Sequence, residues 1–194
     1  MPLPQLAVFA SGRGSNLQAL ITACADGRLA ARVAVVVCNR PHAQAVLWAQ
    51  AAEIPLLLCP RHGQDRLQWE QGLVDALEPL QPQLLVLAGW DQLLLGPLLQ
   101  RYPQNIINLH PALPGVHPGQ GAIARAHHAF VQGGPATTGV MVHRVTAEVD
   151  GGPVVLVDEI QMIPGESLES LEQRTHEVEH ALLIRAVARE LQGE

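Results

Sequence analysis

Asn108-Leu109-His110-Pro111 and, forty residues beyond His110, Asp150-Gly151-Gly152-Pro153 carry the side chains of this sequence best suited to chemistry. An amide donor can hold a developing oxyanion, an imidazole can move a proton, and a carboxylate can tune that imidazole. The three together make an acyl-transfer set. Asn108 and His110 stand two residues apart after the apolar pair Ile106-Ile107, and on a strand that spacing points both side chains to one face. Pro111 cannot donate to a sheet ladder and marks the strand's end. Both groups therefore fall at the carboxyl end of a strand, where open α/β sheets hold their ligands. Taken singly, His110 also reads as a core histidine satisfied by backbone, and Asp150 as the cap of a turn before Gly151-Gly152.

The elements that must position these residues alternate along the chain. Residues 6–10, 32–38, 55–58, 84–88 and 105–109 are apolar runs that read as strands. Between them, residues 16–25 read as a helix with Leu17, Leu20, Ile21 and Cys24 on one face, 43–52 as a second, 65–77 as a third with Leu67, Val74 and Leu77 inward, and 97–101 as a short fourth. This order predicts an α/β, Rossmann-like fold with a mostly parallel central sheet flanked by helices. After residue 120 the character changes. A helix over 122–131 precedes strands at 139–145 and 154–160, whose helix-free connection predicts an antiparallel pair. A long helix then runs from Ser167, its N-cap, to about Leu191, with Leu168, Leu171, Thr175, Val178 and Leu182 as its buried stripe. On residue type alone, Glu177 and Glu179 read as its solvated face. The 194 residues are read as a single domain: a half over 1 to about 110, and a part from about 111 to 194 that completes the site.

Composition narrows the partners. A net charge of −6 and no run of basic residues argue against a nucleic-acid surface and against an anionic membrane. No apolar run approaches the roughly 20 residues that span a bilayer, and Met1-Pro2-Leu3-Pro4 lacks the basic region of a secretory signal. Cys24, Cys38 and Cys59, an odd number without a CxxC pair, read as reduced, buried thiols of a cytoplasmic protein. The nine histidines are dispersed and form no HExxH unit, so no metal is expected. His176 and His180 share a helix face and read as hydrogen-bonding residues, and His127-His128 as solvated.

Ser11-Gly12-Arg13-Gly14-Ser15-Asn16 joins the first strand to the first helix. Glycines let a backbone turn tightly and approach a ligand, and the helix N-terminus offers unpaired N–H groups to an anion. The Gly-Lys-Ser/Thr of a P-loop is absent. The dinucleotide fingerprint also fails, since Leu17 stands at its third small position and Cys38-Asn39 where its acid belongs. The loop suits one phosphate better than a pyrophosphate. A structural turn with Ser15 or Asn16 as helix cap is the plainer alternative.

Taken together, 11–16, Asn108-Leu-His-Pro111, Val149-Asp-Gly-Gly-Pro153 and Glu179-His180 resemble, in order and over nearly the whole chain, the glycinamide ribonucleotide transformylases of the folate-dependent formyltransferase family. The resemblance implies transfer of a formyl group from 10-formyltetrahydrofolate, the cosubstrate, to the amine of glycinamide ribonucleotide in purine synthesis. It implies a catalytic trio of Asn108, His110 and Asp150. Gly14, Ser15 and Asn16 would hold the ribotide phosphate and Glu179 the ribotide further along. Arg66, Asp91, Gln92, Leu93, Leu94 and Asn108 would face the folate. A neutral amine is already a nucleophile, so no Ser or Cys nucleophile is required. Protonated His110, its pKa raised by Asp150, and Asn108 would stabilise the oxyanion. The implied protein works on small molecules, without nucleic acid or membrane, as a monomer or homodimer.

This chain departs from the family where Trp90-Asp91-Gln92 replaces an aromatic residue followed by Met-Arg, where Ala112-Leu-Pro-Gly115 replaces Ser-Leu-Leu-Pro, and in a longer loop at 131–138. These changes bear on the folate tail or on the choice of acceptor. The alternatives are a formyltetrahydrofolate hydrolase or another folate-dependent formyltransferase, whose relatives carry further domains, and a ribotide-binding module without catalysis.

Overall fold

Strands built from Leu, Val, Ile and Ala without polar alternation are stable only when both their faces are covered. In the computed structural model, which describes residues 2–193, these runs lie side by side and parallel: β1 (Gln5–Phe9), β2 (Arg32–Cys38), β3 (Leu56–Leu58), β4 (Leu84–Leu87) and β5 (Ile106–His110). β6 (Thr137–Arg144) and β7 (Val154–Gln161) join antiparallel, giving one seven-stranded sheet in the order β3-β2-β1-β4-β5-β6-β7. Helices α1 (Ser15–Ala25), α2 (Gln44–Ala51), α5 (Ala122–Val131) and α6 (Leu168–Gln192) cover one face; α3 (Arg66–Leu77) and α4 (Pro97–Arg101) cover the other.

Successive residues of β1 feed opposite cores. Leu6 and Val8 meet Leu17, Leu20, Leu182 and Leu183, whereas Ala7 and Phe9 meet Leu73, Leu77 and Leu98. The strand order reverses between β1 and β4, which opens a crevice at their carboxyl ends. The backbone there is held by Ala88 N–H to the Phe9 carbonyl (2.8 Å) and Ser11 N–H to the Gly89 carbonyl (3.0 Å).

The expected elements all form, with local differences. β5 extends through His110, so the histidine is the strand's last residue. Leu67 does not point inward; it is 51% exposed. Asp65 caps α3 through its side chain, and that phase turns Trp69, Leu73 and Leu77 to the core instead. A 3₁₀ turn over Glu78–Leu80, enforced by Pro79, ends that helix. Ser167 caps α6 by accepting from Ser170 N–H (3.2 Å). Leu171, Thr175 and Leu182 are buried along α6, while Leu168 and Val178 are half-buried. Of the thiols only Cys38 is fully buried, and all three are free. Burial pushes the Cys59 thiol up to about 12, which keeps it unreactive. His128 is exposed, but His127 is not simply solvated: its Nε2 meets the Glu166 carbonyl at 2.8 Å. Among the described residues, no helix is long and apolar enough to cross a membrane.

Candidate active site

The end of β5 carries Asn108 and His110 on one face, and the β6–β7 connection brings Asp150 to them. That connection passes so close to β6 that a Cβ on Gly152 would lie 1.9 Å from the Arg144 carbonyl oxygen, so only glycine fits. Asp150 itself has φ 52, a left-handed conformation uncommon for a residue with a side chain. Its carboxylate is a hub. Oδ2 lies 3.4 Å from His110 Nδ1 and accepts from Gly119 N–H at 2.7 Å. Oδ1 accepts from the Asn108 amide at 3.2 Å and lies 3.4 Å from His143 Nε2. Burial alone would raise this carboxyl, but the His143 contact, the Gly119 N–H and the nearby imidazoles outweigh it and bring it to about 2. Asp150 is therefore an anion at any working pH.

His143 was not singled out from sequence. It pairs directly with Asn108 across the β5–β6 ladder and is 2% exposed. Its Nδ1 faces the Arg144 carbonyl (3.0 Å), which can only accept, so Nδ1 carries a proton. Its Nε2 meets the Asn108 amide at 3.1 Å. A polar residue inside the apolar run 139–145 was the available signal.

His110 differs from its expected state. Burial pushes its pKa below the ordinary value, and the opposing pulls of Asp150 and of the His117 carbonyl do not overcome it. The expectation of a raised pKa is thus corrected: the carboxylate acts upward, yet the loss of water acts more strongly. His110 Nε2 lies 3.0 Å from the His117 carbonyl, so this nitrogen carries a proton to donate. Arg125 holds the same segment through its contacts with the His117 (2.7 Å) and Pro118 (2.6 Å) carbonyls.

The trio faces a cavity of about 360 Å³ whose walls include Trp90 to Leu95, Val145 and Thr146 to Asp150. Asp91, Gln92, Leu93, Leu94 and Asn108 all line it; Arg66, the first residue of α3, does not. Among the described residues the buried Arg66 Nε has no hydrogen-bond partner. Asp91, in place of the family's Met, turns its carboxylate to Asn39 Nδ2 (2.7 Å) and to the Arg40 guanidinium. It thereby ties the loop after β4 to the end of β2. Glu70, fully buried on α3, holds the next stretch of wall by accepting from the N–H groups of Leu95 (2.7 Å), Gly96 (3.2 Å) and Leu98 (2.9 Å).

A second cavity, of about 250 Å³, opens beside the first and is lined by Gly12 to Asn16, Leu109, Pro111, His176 and Glu179. Gly14, not Ser15 or Asn16, occupies the N-cap of α1, and no side chain caps the helix. Its φ of 71 and the 2.9 Å that a Cβ would leave to Ala45 require glycine. The first N–H groups of α1 are therefore left for an anion. Glu179 is not on a solvated face: it is 4% exposed, and its Oε2 accepts from Asn16 Nδ2 (2.8 Å) and meets His176 Nδ1 (3.1 Å). Among the described residues, no cluster of three or more His, Cys, Asp or Glu has metal-holding geometry.

An open sheet with an amide–imidazole–carboxylate trio on the wall of a cleft, and an anion cradle beside that cleft, defines a group-transfer enzyme of α/β architecture. Residues 4–187 match the formyl transferase family, and the chain belongs to it. It is similar to the phosphoribosylglycinamide formyltransferase of Schizosaccharomyces pombe, at 40% identity over 94% of each chain. It is also similar to that of Bacillus subtilis, at 35% identity over 92% of this chain and 90% of the relative. Among solved structures, glycinamide ribonucleotide transformylase 1 from Symbiobacterium toebii superposes with a TM-score of 0.92 at 33% identity, covering 98% of this chain and 89% of that one.

Proposed function

We propose that the protein transfers the formyl group of 10-formyltetrahydrofolate to the amine of glycinamide ribonucleotide, a step of purine synthesis. The observation that carries this reading is the meeting of Asn108, His110 and Asp150 on the wall of the larger cavity, next to Leu109 and Pro111, which line both cavities. The smaller cavity suits the ribotide phosphate, with Gly14, Ser15 and Asn16 at the cradle and Glu179 beside it. The larger suits the folate: its volume lies within the range of small-molecule sites, and its Leu-rich wall fits a flat ring. Arg66, at the start of α3 and outside this cavity, is assigned to the folate's carboxylate end by the family resemblance alone.

The amine nitrogen attacks the formyl carbon, and the carbon–nitrogen bond to the folate then breaks. One proton leaves the amine and one reaches the folate nitrogen. As negative charge grows on the formyl oxygen, His110 Nε2–H exchanges the His117 carbonyl for it, and the Asn108 amide donates beside it. That new anion adds to Asp150 in favouring imidazolium, so His110 takes up the proton the amine releases as the tetrahedral intermediate forms, and returns it to the folate nitrogen as the carbon–nitrogen bond breaks. Alignment of two bound substrates supplies much of the remaining rate.

In this reading the chain acts as one formyltransferase domain. The ribotide half, to about residue 110, is completed by Glu179 of α6, and the folate wall over 90–95 by the later segment 145–150. The protein works in the cytoplasm, as a monomer or homodimer, on small molecules alone. An absorbance assay for folate release, with glycinamide ribonucleotide as acceptor and a water-only control, tests it. Release that depends on the ribotide is the expected result. Equal release without it would mean a hydrolase, and ribotide binding without release a binding module. His110→Ala, with both ligands still bound, is expected to lose about 10²–10⁴-fold in turnover; near-normal turnover would remove the proton role.

A further inference from the structure

We propose that a third cavity, beside the folate cleft, holds the γ-linked glutamates of an extended folate tail, with Arg61 and Arg40 meeting their carboxylates. The inference rests on the reading of the larger cleft as the folate site and extends that site beyond it. The cavity, of about 570 Å³, lies at the carboxyl ends of the first three strands: Ser11 and Gly12 follow β1, Asn39 to Ala43 follow β2, and Pro60 to His62 follow β3. It adjoins the folate cleft at one pair of side chains. Asp91 lines the cleft, Arg40 lines this cavity, and an ion pair joins the two. With the flat ring on the wall of Leu93 to Leu95 and the formyl group at His110, the tail leaves the cleft past Asp91.

An oligo-γ-glutamate repeats two groups, an amide and a free carboxylate, and the cavity wall offers a partner to each. The carboxylates need cations. Arg61 lines the cavity, and its side chain makes no ion pair or hydrogen bond among the described residues. Its planar guanidinium is free to take a carboxylate through two parallel bonds. Arg40 spends Nη2 on Asp91 and keeps its other donors. Asp91 opposes the tail only weakly, because Asn39 Nδ2 (2.7 Å), Gln92 Nε2 (3.0 Å) and Arg40 already share its charge. The amides need both a donor and an acceptor. Asn39 gives Nδ2 to a carboxylate, which only accepts, so Oδ1 is its free acceptor; that oxygen is buried with no partner among the described residues. Ser11 is 3% exposed. Its Oγ accepts from Asp91 N–H at 3.1 Å, and the hydroxyl proton has no acceptor among the described residues. A tail amide N–H completes Asn39, and a tail carbonyl completes Ser11. A phosphate dianion would satisfy the arginines and the hydroxyl but brings no donor for Asn39 Oδ1, so the wall fits an amide-linked polycarboxylate better.

Steady-state kinetics of the full chain test this, with saturating glycinamide ribonucleotide and 10-formyltetrahydrofolate carrying either one or three γ-linked glutamates. The readout is the ratio of the two KM values, in which a general loss of activity cancels. In the wild type the triglutamate is expected to show a KM about tenfold below that of the monoglutamate, the worth of one charge-assisted contact. Arg61→Gln should bring the ratio close to one, and Arg61→Lys should restore part of it. The wild-type ratio should also narrow as ionic strength rises, since the contacts are ionic. That salt series needs no variant, so it decides the matter even if a substitution unfolds the chain. A wild-type ratio near one, a ratio indifferent to salt, or a ratio as large in Arg61→Gln as in the wild type would overturn the tail site and leave formyl transfer standing. Absence of ribotide-dependent release with either folate would overturn the functional reading with it.

Discussion

Asp150 organises the site atom by atom. Its two oxygens receive Asn108, Gly119 and two imidazoles, and it remains ionised down to about 2. Asp150→Asn keeps the shape and removes the charge. Steady-state kinetics should show kcat lower by about 10²–10⁴-fold, with ribotide affinity nearly unchanged because the phosphate cradle lies in the neighbouring cavity. The pH profile carries a sign. In the wild type, Asp150 pulls the His110 pKa upward against burial. Without that pull the value falls further, so the limb of the kcat profile due to His110 should move to lower pH. A shift to higher pH, or none, would mean that another group titrates there. Asn108, His110 and Asp150 were legible in sequence because their spacing follows strand periodicity and a glycine turn. His143 was not, since only the β5–β6 register sets it opposite Asn108.

Among the elements, α3 does more than cover the sheet. Glu70 reaches from it to three backbone N–H groups at the entrance to α4, a five-residue helix too short to hold itself. Among the described residues those groups have no other protein partner, and the stretch they belong to continues the wall formed by Leu93 to Leu95. Glu70→Ala removes the partner of all three donors, of which that of Leu98 is buried while Leu95 and Gly96 are partly exposed. Urea denaturation should show a loss of about 1–3 kcal/mol, the cost of a buried donor left unsatisfied. The folate KM should rise while the ribotide KM holds. Equal rises in both would point to general loosening. Sequence gave no notice of this link, because a lone Glu in an amphipathic helix reads as solvent-facing. Leu67 was misplaced for a related reason: periodicity defines a stripe, but the Asp65 cap and the bulk of Trp69 decide its phase.

At the scale of the whole molecule, the ribotide cradle depends on packing between the two ends of the chain. α1 and α6 meet through Leu17, Leu20, Leu182 and Leu183, all fully buried, and that contact brings Glu179 to Asn16. Leu182→Ala leaves a cavity in this seam and should cost about 2–5 kcal/mol in urea denaturation. Ribotide at about 100 times its Kd should return about 2.7 kcal/mol, since it binds only the folded form. If saturating ribotide leaves the denaturation midpoint where it was, the seam does not support the cradle.

The amino-acid order by itself determined the alternation of apolar strands and amphipathic helices, the end of β5 at Pro111, the glycine turn before α1, and the antiparallel return after residue 136. Each follows from forces among near neighbours: side-chain periodicity, the missing N–H of proline, the free φ of glycine. Folding alone decided that Glu179 would meet a residue 163 positions away, that Asp91 would be spent on Arg40 rather than on the cleft, and that His110 would lose more to desolvation than it gains from Asp150. Burial and distance between remote segments are properties of the packed chain, and no local pattern encodes the balance between a Coulomb attraction and the water removed to achieve it.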